Sequence, residues 1–169
     1  MRPVLVAFGS KMGGTAEIAH RIATSLEDRS VHVVLHDAAD RVDLSPFGAF
    51  VVGSGLYMGR WRRPAARLVK RIAQAHPRRP LWLFHSGPLG PDEANIPQAL
   101  PRGVRRRATE CDLLDIATFG GRLLPDAAGL PARMMVRNGL AGDWRDFDQV
   151  DAWAARIATA MTSRAGSTG

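Results

Sequence analysis

Val4-Leu5-Val6-Ala7-Phe8-Gly9-Ser10-Lys11-Met12-Gly13-Gly14-Thr15-Ala16-Glu17 decides the fold. Its first five residues are apolar without a break, the pattern of a strand buried on both faces. From Thr15 onward Ile18, Ala19, Ile22, Ala23 and Leu26 recur at helical spacing. The stretch between is a glycine turn, so the segment reads as strand, tight turn, helix. Backbone N–H groups in such a turn point outward together, and the helix start adds partial positive charge. Gly13 and Gly14 let the backbone approach a ligand closely, and Ser10 and Thr15 carry hydroxyl donors. Two readings follow: a phosphate cradle, or an ordinary βα turn with Thr15 as helix N-cap. No G-x-G-x-x-G and no Gly-Lys-Ser/Thr is present here, so neither a dinucleotide fingerprint nor a Walker loop applies.

Outward from this stretch the chain alternates strand and helix, which predicts an α/β fold with a parallel sheet. The strands are expected at about 3–8, 31–36, 49–52, 81–84 and 112–119, and the helices at about 15–28, 63–75, 127–138 and 147–162. His32 and His36 alternate with apolar residues in the second strand, as on a sheet edge. The span 92–109 holds two prolines and a glycine and predicts only a short or broken helix. Right-handed crossovers then give a doubly wound five-stranded sheet of order 2-1-3-4-5 with helices on both faces. Ligands bind such sheets beyond the carboxyl ends of the strands. The loops after the first, third, fourth and fifth strands all carry glycines and all fall on that edge. Together they predict a mononucleotide site.

The 169 residues amount to one domain, 1–162, followed by a disordered tail, 163–169. Hydrophobic content of 46% and charged content of 23% are ordinary for a globular protein. No apolar run reaches the roughly 20 residues that span a bilayer. Met1-Arg2-Pro3 leads directly into a strand with no signal-peptide pattern. A lone cysteine, Cys111, excludes an intrachain disulfide and a thiolate metal cluster. A cytoplasmic location is the expectation. Net charge is +7, carried by arginines such as Arg60, Arg62, Arg63, Arg105, Arg106 and Arg107. Such a surface either is merely solvated or attracts an anionic partner, a small molecule or a membrane surface. Nucleic acid is not expected, since no binding motif accompanies the arginines.

Ser10-Lys11-Met12-Gly13-Gly14-Thr15 resembles the flavodoxin phosphate loop, Ser/Thr-x-Thr-Gly-x-Thr, which wraps the 5′-phosphate of FMN. Met12 departs from it, standing where flavodoxins carry a hydroxyl residue. Residues 2–162 resemble flavodoxin-domain proteins related to the menaquinone-dependent protoporphyrinogen oxidases. Leu56-Tyr57-Met58-Gly59-Arg60-Trp61 is similar to that family's aromatic, glycine-bearing loop after the third strand. Leu83-Phe84-His85-Ser86-Gly87-Pro88-Leu89-Gly90 and Phe119-Gly120-Gly121-Arg122-Leu123 resemble segments of a bacterial subgroup. The oxidase's long segment after the fourth strand is replaced here by the proline-rich 91–101.

The resemblance implies an FMN-dependent oxidoreductase or electron-transfer protein, with a quinone, a porphyrinogen or another anionic molecule as redox partner. Ser10, Lys11, Met12, Gly13, Gly14 and Thr15 would hold the phosphate. Ser54, Gly55, Leu56, Tyr57, Met58 and Gly59, then His85, Ser86, Gly87 and Pro88, then Gly120 and Gly121 would shape the ring site. No catalytic side chain and no metal ligands are assigned. Trp61 either flanks the ring or packs on the sheet, and Arg122 either faces an anion or is a surface residue. A flavin-free binding or regulatory module with the same fold is the alternative function.

Overall fold

The computed structural model describes residues 2–87, 90, 92 and 96–166. Its central sheet is built from β1 (Val4–Gly9), β2 (Val33–Asp37), β3 (Ala49–Tyr57), β5 (Pro80–Ser86) and β6 (Asp112–Phe119). These run parallel in the order β2-β1-β3-β5-β6, with β1 flanked by β2 and β3. This is the predicted 2-1-3-4-5 order, because the fourth and fifth strands of the sequence are β5 and β6. Between β3 and β5 in the chain comes a two-residue strand, β4 (Arg60–Trp61), which turns back antiparallel on the end of β3.

Strand alternation sorts the core into two layers. Val4 and Val6 of β1, Ala49 and Val51 of β3, and Trp82 and Phe84 of β5 face one side. There they meet Ile18, Ile22 and Leu26 of α1 (Gly14–Glu27) and Trp153 and Ile157 of α5 (Phe147–Gly166). Leu5, Ala7, Phe50, Val52, Leu81 and Leu83 face the other side. They pack on Leu68, Val69 and Ile72 of α2 (Arg63–Ala75) and on Val104 and Ala108 of α3 (Arg102–Ala108). Burying one such leucine or isoleucine is worth about 1.5–3 kcal/mol. Period two in the strands against 3.6 in the helices thus places helices on both faces.

Several boundaries differ from the sequence reading, among them that of β5, which runs on through His85 and Ser86 instead of ending at Phe84. The third strand does not stop at Val52 but continues through Gly53-Ser54-Gly55-Leu56 to Tyr57. Gly53 lies within it because the buried Phe84 ring crosses its Cα; a Cβ there would stand 2.0 Å from that ring. The glycine answers a packing demand of the sheet, not a turn. The turn comes at Met58-Gly59, both at positive φ (47° and 70°), as a two-residue hairpin requires. The helix expected at 127–138 is shorter, α4 (Leu130–Arg137), and stands between two further short strands, β7 (Arg122–Leu123) and β8 (Gly142–Asp143), which pair antiparallel. Finally, Ser163–Gly166, read as tail, continue α5.

β2 forms one edge of the sheet, as the alternation of His32 and His36 with apolar residues suggested, although His32 itself precedes the strand. Among the described residues no group of histidine, cysteine and carboxylate side chains could hold a metal ion, and no helix is long and apolar enough to cross a membrane. Cys111 is half-buried, and burial pushes its thiol up to about 11, so it stays protonated at neutral pH.

Candidate functional site

The turn after β1 opens the site. Gly13 is the N-cap of α1 in the left-handed region (φ 82°), which favours glycine. Its N–H donates to Ser10 Oγ at 3.0 Å, which curls the loop back on itself. No side chain caps the helix, so the N–H groups of its first turn are open toward the loop. Thr15 is therefore not the N-cap; it is buried in the first turn. Its hydroxyl shares a 2.8 Å hydrogen bond with the buried hydroxyl of Ser86 at the end of β5.

A cleft of about 590 Å³ runs from this turn along the carboxyl edge of the sheet. Ser10, Lys11, Met12, Gly14 and Thr15 line one end. Gly55, Leu56, Tyr57 and Met58 line its middle from β3 and the hairpin turn, with Arg60 beside them; Ser86, Gly87 and Gly121 line it from the ends of β5 and β6. The last two glycines are fixed by contact of backbone with backbone. A Cβ on Gly87 would stand 2.6 Å from the Leu56 carbonyl oxygen, and one on Gly121 would stand 3.1 Å from the Gly87 Cα. Three strand ends thus close on one another below the cleft, and its apolar walls suit a flat ring. Burial raises the Tyr57 phenol above its usual range, so it is neutral at physiological pH.

The remaining wall is the β7–α4–β8 unit, which caps the cleft. Arg122, Leu123, Pro131, Ala132 and Met135 line the cleft from it. Leu123, Ala127 and Ala132 form a small core of their own, against which Met12, Met135, Val136 and Leu140 pack. This gives Met12 a structural role: it is a contact between turn and cap. Ion pairs fasten the same join. Glu17, in the first turn of α1, accepts from Arg122 Nη2 and Arg145 Nη1, both at 2.7 Å. Arg145, nearly fully buried, also pairs with Asp143 at 2.6 Å. The hydrogen bonds from Arg145 are the main cause holding both carboxyls below their usual range.

The structure thus gathers at one cleft Ser10, Lys11, Met12, Gly14, Thr15, Gly55, Leu56, Tyr57, Met58, Ser86, Gly87 and Gly121 from the sequence-predicted residues. Gly13 shapes the turn, and Gly59 completes the hairpin beside it. Ser54 does not line the cleft: its fully buried hydroxyl donates to the Gly55 carbonyl and accepts the Arg62 N–H. Nor does His85, which lies fully buried between strands. Trp61 Nε1–H donates to its Nδ1 at 3.2 Å, so its proton sits on Nε2 and faces Thr118 Oγ1 at 2.9 Å. Burial lowers its pKa and keeps the ring neutral. Trp61 is accordingly a core residue. Gly120 is buried and does not line the cleft. Pro88 lies outside the described residues. Pro131, Ala132 and Met135 of the cap were not read as site residues from the sequence, whereas Arg122, left open there between an anion-facing and a surface residue, lines the cleft, as does Arg60. The helical spacing of α4 was legible, but nothing in its sequence said that it covers the cleft.

Comparison with known proteins agrees with this architecture. An oxidised flavodoxin 2 from Bacillus cereus superimposes with a TM-score of 0.61 at 18% identity, covering 95% of this chain and 99% of that one. A flavodoxin of Streptococcus pneumonia TIGR4 gives 0.64 at 16% identity, covering 92% and 97%. Rubredoxin oxygen:oxidoreductase from Desulfovibrio gigas gives 0.64 at 16% identity, covering 96% of this chain but 37% of that one. No curated protein sequence matches the chain. At these identities the likeness is one of fold. The sequence itself matches the family described as Flavodoxin domain over residues 5–141, and the chain belongs to that family.

Proposed function

We propose that this protein binds FMN in the cleft and transfers electrons through it. The observation that carries the reading is the union of an uncapped helix start behind a glycine turn with an apolar cleft running from it along the sheet edge. The residues fit such a cofactor. Ser10 Oγ accepts the Gly13 N–H and, among the described residues, donates to none, so its proton is left for a phosphate oxygen. The first-turn N–H groups supply further donors. Leu56, Tyr57, Leu123 and Met135 offer walls for a planar ring. Ser10, Gly14 and Thr15 would hold the phosphate, with Gly13 setting the turn.

FMN, when bound, supplies the redox chemistry. The chain's own contribution is to bind and orient it, to keep water from one side with the β7–α4–β8 cap, and to leave a rim open at Tyr57, Met58 and Arg60. Arg60 lines the cleft and is exposed, which favours an anionic redox partner. A quinone or a porphyrinogen is the partner suggested by the resemblance to the protoporphyrinogen oxidases, and a basic surface suits propionate groups. Protein purified without added flavin is expected to show a flavin absorption band, and acid-released cofactor is expected to have the mass of FMN. Recovery of FAD alone would overturn the assignment, and colourless protein that takes up no flavin would favour the flavin-free module.

A further inference from the structure

One cation of the capping unit faces the glycine turn, and nothing in the phosphate-loop pattern calls for it. Arg122 Nη2 lies 3.5 Å from where a Cβ on Gly13 would stand, and the Arg122 Cβ lies 3.6 Å from the same point on Gly14. Arg122 lines the cleft with a side chain only 20% exposed. Its Nη2 donates to Glu17, but Glu17 is served twice: Arg145 Nη1 holds its other oxygen at 2.7 Å. The carboxylate therefore keeps a partner when Arg122 turns toward a ligand. Arg122 has further N–H donors in the same plane, in the fork geometry that suits phosphate. Around the turn, Lys11, Arg122 and Arg145 stand against Glu17 and Asp143, an excess of positive charge.

We propose that Arg122 is a phosphate-binding residue, reaching from the cap onto the glycine turn to neutralise the phosphate dianion; this rests on the FMN reading above. It replaces by charge the hydroxyl donor that Met12 does not provide. It also links the ligand to the cap, since the residue that binds phosphate is the first residue of β7. The site would then select FMN over riboflavin, which has the same ring and no phosphate.

The test is a fluorescence titration of flavin-free full-length protein with FMN and, separately, with riboflavin. Wild type is expected to prefer FMN. Arg122→Gln is expected to weaken FMN by about 10–100-fold, the range for losing a hydrogen bond to a charged group, while riboflavin changes by less than about twofold. Arg122→Lys, which keeps the charge and loses the fork, is expected to retain part of the preference. The wild-type preference should shrink with added salt. Equal losses for both flavins would overturn the proposal and make Arg122 a packing residue of the cap. An unchanged FMN affinity in Arg122→Gln would overturn it too. Wild-type protein that binds neither flavin would instead contradict the FMN reading itself.

Discussion

At the scale of single residues, the glycines divide by cause. Gly13 is glycine because of its φ, and Gly53 because of what lies across it. Phe84 is fully buried and packs edge-on against Trp153, so it cannot yield to a new methyl group. Gly53→Ala is expected to destabilise by at least the roughly 1–3 kcal/mol typical of overpacking, read as a lower denaturation midpoint. Gly53→Ala combined with Phe84→Leu should recover part of that loss; the same loss in both would show that the clash is with something other than the ring. The glycine pattern was legible in the sequence, but its cause was not. A glycine demanded by a ring across a strand and one demanded by a turn look alike when the partner is 31 residues away, as Phe84 is from Gly53. Met12 was unreadable for a related reason. Its partners, Leu123, Ala127 and Ala132, are distant in sequence, so it registered only as a departure from a motif.

At the scale of elements, helices declared themselves better than the short strands. α2 was expected at its observed bounds because its apolar spacing is regular and Pro64 suits its first turn. The two-residue strands β4, β7 and β8 carry too little pattern to be seen. Yet β7, α4 and β8 complete the cleft, and their attachment has a chemical signature. Glu17 and Asp143 have lowered pKa values because Arg145 binds both. A carboxyl lowered in the folded state contributes stability that is full above its unfolded value, about 4, and is lost as pH falls through the folded value. The cap should therefore loosen in acid before the sheet does. Hydrogen exchange is expected to rise in 122–143 below about pH 4 while the β1, β3 and β5 amides stay protected. Glu17→Gln should show part of that rise already at pH 7, because it removes the charge held by Arg122 and Arg145. Uniform exchange across sheet and cap at every pH would mean that the ion pairs do not fasten the cap.

At the scale of the whole molecule, strand order and layers followed from alternation and handedness, which are global rules. The location of the cleft followed as well, because it depends only on which edge the loops share. The inward or outward direction of single residues did not follow. Ser54 and His85 are on the right strands, but their side chains serve Arg62, Trp61 and Thr118 in the interior. The central claim is that this edge of the sheet binds a flavin mononucleotide through the turn after β1. Isothermal titration of flavin-free protein with FMN tests it most directly. The account predicts one saturable site per chain, with inorganic phosphate weakening the apparent affinity by competition at the turn. No saturable binding of FMN, or binding wholly indifferent to phosphate, would contradict it.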